Sequence, residues 1–136
     1  MPLRYYLEMG QKMSSEIVRA AHHLMRQNGE SIVVGSTALW LRDMTAAEPN
    51  DLDIVVRSLD GIPGDLTAYE TDSPFSLTGK KACGFLGRGV KIDIFVEGRI
   101  PDFEIIRGIR IQTVASMLRH YQELLPRAKD HWKNGI

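Results

Sequence analysis

The sequence predicts one α/β domain of the α+β kind: a mixed β-sheet with helices packed mainly on one face. Three observations predict it. An apolar period of helical spacing runs through 14–28. Two strongly β-forming segments, DLDIVV at 51–56 and VKIDIFV at 90–96, alternate between apolar and charged positions. The helical period then returns after Thr113. A length of 136 residues suits a single domain. The layout reads as N-terminal helices over 1–29, a sheet core over 31–111 and C-terminal helices over 113–134.

Each element has a local reason. Residues 3–13 read as a short leading helix. In the helix over 14–28, Ser14 or Ser15 can cap the start and Asn28-Gly29 ends it; Ile17, Ala20, Ala21, Leu24 and Met25 share one side. Ser31–Val34 is a short buried strand, Gly35-Ser36 a tight turn, and Thr37–Arg42 the start of a helix. Asp43–Asn50 holds Pro49 and reads as a loop, followed by a strand at Asp51–Arg57. Leu59–Asp65 must turn, and Leu66–Thr71 reads as a strand. Within Asp72–Gly89 a hairpin is expected, with Ala82–Leu86 as one arm. Val90–Val96 is a strand, Gly98–Asp102 a turn, and Ile105–Ile111 a strand pair around Gly108. Thr113 caps a helix to Leu125, and Pro126 opens a last one to about Asn134.

Bulk properties narrow the class. Lys plus Arg and Asp plus Glu are both 17, so no charge bias marks a nucleic-acid or membrane binder. Cys83 is the one cysteine, so no intramolecular disulfide forms. No apolar run approaches signal-peptide or membrane-spanning length, and the chain reads as cytoplasmic.

Strand phase carries the chemistry. Residues two apart on a strand face the same side. Asp51, Asp53 and Val55 therefore share one face, with Leu52, Ile54 and Val56 on the other. Lys91, Asp93 and Phe95 likewise oppose Val90, Ile92, Ile94 and Val96. Taken alone, Asp51 and Asp53 suit the solvated face of an edge strand. If the two strands are neighbours, three carboxylates converge and repel. A hard divalent cation such as Mg²⁺ relieves that repulsion, and a pair of ions can clamp an in-line displacement at phosphorus. Gly35 and Ser36, fifteen positions before Asp51 counting from the serine, add a turn suited to a phosphate.

In these residues the chain resembles the DNA polymerase β-like nucleotidyltransferase superfamily. The pattern is a hydrophobic strand, Gly-[Gly/Ser], a helix, an acidic-x-acidic strand, and a third acid on a later strand. Gly35, Ser36, Asp51, Asp53 and Asp93 match it. VVGSTALWLRD and NDLDIVV look most like the small stand-alone members, the minimal and AbiEii-type proteins. Arg127, Lys129 and Asp130 resemble their closing segment, so the likeness spans roughly 31–131. The Ser36–Asp51 spacing is slightly long for the pattern, and 72–89 matches nothing in it.

The resemblance implies a polymerase β palm-like fold and transfer of a nucleoside monophosphate from an NTP to a hydroxyl acceptor, with release of pyrophosphate. Two Mg²⁺ ions are expected on Asp51, Asp53 and Asp93, with Gly35 and Ser36 on the terminal phosphates. Asp93 also helps activate the attacking hydroxyl. The acceptor is a small molecule, a tRNA or a protein, and a homodimer or partner chain could complete the cleft. The alternative is a catalytically silent nucleotide-binding or protein-interaction module, such as a toxin–antitoxin component.

Other residues rank below these. Lys91 shares the Asp93 face, and with Arg42 is a candidate for the triphosphate. Lys80 and Lys81 read as a solvated basic loop. Thr78-Gly79-Lys80-Lys81 lacks the leading glycine and following hydroxyl of a P-loop. His22 and His23 read as partly exposed, His120 and His131 lack ligand spacing, Cys83 reads as buried, and Trp40 and Trp132 as packing residues.

Overall fold

The computed structural model describes residues 15–62, 67–70, 80–86 and 89–123, with side chains throughout except at 67–70 and 80. The leading helix over 3–13, the helix from Pro126, the Arg127–Asp130 segment and most of 72–89 lie outside the described residues.

Helix α1 spans Glu16–Gln27, where Ser15 Oγ accepts the Val18 N–H at 3.2 Å. Its buried side is Ile17, Val18, Ala20, Ala21 and Leu24. Asn28 stops it and organises the turn into the sheet. Its Oδ1 accepts the N–H groups of Glu30 and Ser31 at 2.9 and 2.8 Å, and its Nδ2 donates to the Asp60 carbonyl at 3.2 Å. The next strand, β1, is therefore shorter than expected, Ile32–Val33.

Helix α2 covers Gly35–Leu41 and begins two residues earlier than the sequence suggests. Gly35 takes φ +62°, a left-handed value that glycine reaches without a Cβ penalty. Val34 sits at the N-cap with no side-chain hydrogen bond, and Ser36 lies inside the first turn.

The strands are β2 (Asp51–Val56), β3 (Thr67–Glu70), β4 (Lys80–Leu86), β5 (Val90–Val96), β6 (Phe103–Ile106) and β7 (Ile109–Gln112). They join β1 in a seven-stranded sheet of order β3-β4-β5-β2-β1-β7-β6. The sheet is mixed: β2–β5 and β1–β7 are parallel, the other pairs antiparallel. The hairpin around Gly108 forms as expected. Arg107 and Gly108 have φ +54° and +79°, the two positive values of a type I′ turn. His22 Nε2 donates to the Arg107 carbonyl at 2.8 Å, tying α1 to that turn.

The last described helix, α3, runs over 114–123. Thr113 caps it as expected, its Oγ1 accepting the Ser116 N–H at 3.1 Å. No helix among the described residues is long and apolar enough to cross a membrane.

The core obeys the strand phase. Leu52, Ile54, Ile92 and Ile94 are fully buried under α1 and α2, in one cluster with Val18, Leu24, Ala38 and Trp40. The opposite face carries a smaller cluster of Ile32, Val34 and Val55, with Phe95 and Ile100 packed against it. Helices α1 and α2 cover one face as expected, whereas α3 borders a cleft on the other.

Candidate active site

Strands β2 and β5 are parallel neighbours, with Asp51 opposite Lys91 and Asp53 directly opposite Asp93. The apolar sides of both strands are committed to the helix-covered core, so their carboxylates must emerge together on the other face. Asp93 is buried at 8% exposure; Asp51 and Asp53 are half-buried.

The glycine bend is stitched to the same place. Val34 N–H donates to the Asp53 carbonyl at 2.9 Å, and Thr37 Oγ1 donates to the Asp51 carbonyl at 2.9 Å. A Cβ on residue 35 would lie 2.8 Å from Asp53 Oδ2. Only glycine lets the backbone approach that carboxylate so closely.

Burial, then the charges of Asp93 and Asp51, push the Asp53 carboxyl up to about 6 from an ordinary 3.8. Lys81 and Lys91 pull the other way. Lys91 Nζ bridges Asp51 Oδ2 at 3.7 Å and Asp93 Oδ1 at 3.8 Å. Lys81 Nζ reaches the same Asp93 Oδ1 at 3.6 Å and lies 5.2 Å from the centre of the Phe95 ring.

The structure corrects the expectation that Lys81 lies in a solvated loop. It belongs to β4, whose antiparallel register sets Lys81 opposite Phe95, Cys83 opposite Asp93 and Phe85 opposite Lys91. The signal is present in KKACGFL: Lys81, Cys83 and Phe85 alternate with Ala82, Gly84 and Leu86, a period of two. Cys83, expected buried, is half-buried on the acidic face.

A cleft of about 780 Å³ opens over this face. Its floor is Gly35, Asp53, Lys81 and the apolar Val34, Val55 and Phe95; α3 and the 97–102 loop form its walls. Asp51, Asp93 and Lys91 adjoin Asp53 but lie off the lining.

Two expected phosphate ligands are placed differently. Arg42 Nε and Nη2 donate to the Gln112 carbonyl at 3.2 and 2.9 Å, and Nη1 pairs with Glu104. Its guanidinium ties α2 to the β6–β7 hairpin, away from the acids. Ser36 is half-buried in the first turn of α2, and Gly35 rather than Ser36 faces the cleft.

The three carboxylates fit a hard divalent ion in donor type, shared face and mutual repulsion. As they stand they do not close around one: no group of three acidic, imidazole or thiol side chains among the described residues forms a ready metal cage. The two lysines meet their oxygens instead.

Comparison with known proteins adds no relative: no family model, curated protein or solved structure matches the chain.

Proposed function

We propose that this protein is a Mg²⁺-dependent nucleotidyltransferase that moves a nucleoside monophosphate from an NTP to a hydroxyl acceptor. The observation that carries the reading is the in-register Asp53–Asp93 pair on adjacent parallel strands, with Asp51 one alternation away and Gly35 against Asp53. Asp51 and Asp53 would hold two ions and through them the triphosphate, and Asp93 would complete the acceptor-side position. Bound there, Mg²⁺ neutralises the phosphates and eases loss of the hydroxyl proton.

The chain's own groups do the positioning. Gly35, which faces the cleft, leaves room beside Asp53 for a phosphate oxygen. Val34, Val55 and Phe95 of the floor, with Ile100 beside them, give an apolar surface for a base or acceptor, limiting water beside the acids. The acceptor oxygen bonds to the α-phosphorus, the bond to the bridging oxygen breaks, and pyrophosphate leaves. The hydroxyl proton passes to Asp93. The acceptor is a small molecule, a tRNA or a protein, and a second copy or partner chain is the natural source of further cleft wall.

A second reading has its own support. Lys81 and Lys91 already meet the carboxylates, as in a domain that binds nucleotide or protein without catalysis. Calorimetry with each NTP separates the two. Transferase chemistry requires binding that depends on Mg²⁺ and is lost in Asp53→Asn, together with label transfer from an α-labelled NTP. Binding indifferent to Mg²⁺ supports the silent nucleotide-binding module, and no NTP binding removes both the transferase and that module, leaving a protein-interaction role.

A further inference from the structure

We propose that Lys81 and Lys91 are resident cations, displaced from Asp93 when a divalent ion loads and taken up by the triphosphate, so that ion and nucleotide bind cooperatively. This rests on the nucleotidyltransferase reading and specifies how its site is charged.

The two ammonium groups converge on one atom, Asp93 Oδ1, at 3.6 and 3.8 Å. Lys91 also spans to Asp51 Oδ2 at 3.7 Å. These separations exceed the roughly 2.7–2.9 Å of a direct charge-assisted hydrogen bond, so the pairs are close without being locked. Three carboxylates and two ammonium groups leave the cluster near one negative charge. An ion on Asp93 Oδ1 takes the atom both lysines share and repels both by like charge.

Each lysine has somewhere to go. Lys81 lines the cleft and already stands over the Phe95 ring, a second seat for a cation. Lys91 is nearly half exposed, at 46% for its side chain, so its ammonium borders solvent where a phosphate can meet it. The anion that arrives with the ion is the triphosphate, and it is the partner that restores both charges. Without nucleotide, an ion on Asp93 Oδ1 takes the carboxylate contact that both lysines share; with nucleotide, the triphosphate replaces it. Each ligand therefore strengthens the other, with a coupling that is equal in both directions.

Mn²⁺ binding read by electron paramagnetic resonance tests this without relying on turnover. Wild type, Lys81→Met, Lys91→Met and the double variant are titrated with and without each NTP, with Lys→Arg variants as conservative controls. Methionine keeps the apolar stem and removes the charge. In the absence of nucleotide, the Met variants should bind Mn²⁺ about tenfold tighter than wild type. In its presence, they should bind NTP about tenfold more weakly, and the Mn²⁺–NTP coupling should shrink. The Arg variants should behave like wild type. A merely structural role would weaken both ligands together, and that outcome overturns the proposal, as does unchanged Mn²⁺ affinity. If wild type binds Mn²⁺ and transfers label while the Met variants bind Mn²⁺ no tighter, this inference alone fails. If no protein binds Mn²⁺ with or without nucleotide, the nucleotidyltransferase reading fails with it.

Discussion

The two faces of the central sheet obey opposite rules. Under α1 and α2, Leu52, Ile54, Ile92 and Ile94 are fully buried and carry no polar side-chain atom. On the other face, the same two strands present Asp51, Asp53, Lys91 and Asp93, and Asp53 titrates near 6 because burial and then its acidic neighbours disfavour its charge. The first face is arranged for packing. The second holds unfavourable charge in place, the arrangement that the proposed metal and nucleotide would relieve. A single change on each face should therefore move stability in opposite directions.

The largest effect is expected from Asp53→Asn. Label transfer from an NTP should fall by about a thousandfold or more, as removal of charge stabilisation at a reacting centre does. Yet in EDTA the same substitution should raise the melting temperature. The Asp53 carboxyl titrates near 6 when folded against an ordinary 3.8, so the folded state holds its proton more tightly. That contribution to stability is fully present below about 3.8 and is lost as pH rises through about 6. The gap between variant and wild type should thus open between about pH 4 and about 6.5, reaching on the order of 2 kcal/mol, or about 7 °C by calorimetry. A gap that closes with rising pH would refute the idea that the folded site disfavours this charge.

Ile54→Ala, one position away on the packed face, should instead cost about 3–4 kcal/mol in urea unfolding, the usual outcome of a cavity in a close-packed core. Gly35→Ala lies on the charged side but strains the backbone. With φ +62° and a Cβ 2.8 Å from Asp53 Oδ2, it should cost about 1–2 kcal/mol and weaken Mn²⁺ binding by displacing Asp53. Phe85→Ser should do least. Phe85 belongs to the charged face of β4 at 65% exposure, and stability should stay within about 0.5 kcal/mol. A larger loss there would mean that the outer part of the face is packed and the contrast between faces is overstated.

Much of this contrast is legible in the residues themselves. The bounds of β5 are readable to the residue, those of β2 to within one, and Thr113 and the Gly108 hairpin are where local capping and turn chemistry put them. Helix α2 is harder, because Gly35 in its left-handed conformation lets the helix begin before Ser36 can cap it. Arg42 escapes a local reading for a different reason. Its guanidinium is claimed by Gln112 and Glu104, some 70 and 62 residues away, partners that no local pattern specifies.

The sequence alone determined which residues of each strand face together, because alternation is a property of a single extended chain. It also determined that Asp51, Asp53 and Asp93 lie opposite their strands' apolar sides. Only the tertiary structure decided that β5 lies beside β2 in a register matching Asp53 with Asp93, and that β4 brings Lys81 onto the same oxygen as Lys91. Strand neighbours are chosen by non-local pairing across the whole sheet, and the charge balance of the cleft depends on that choice.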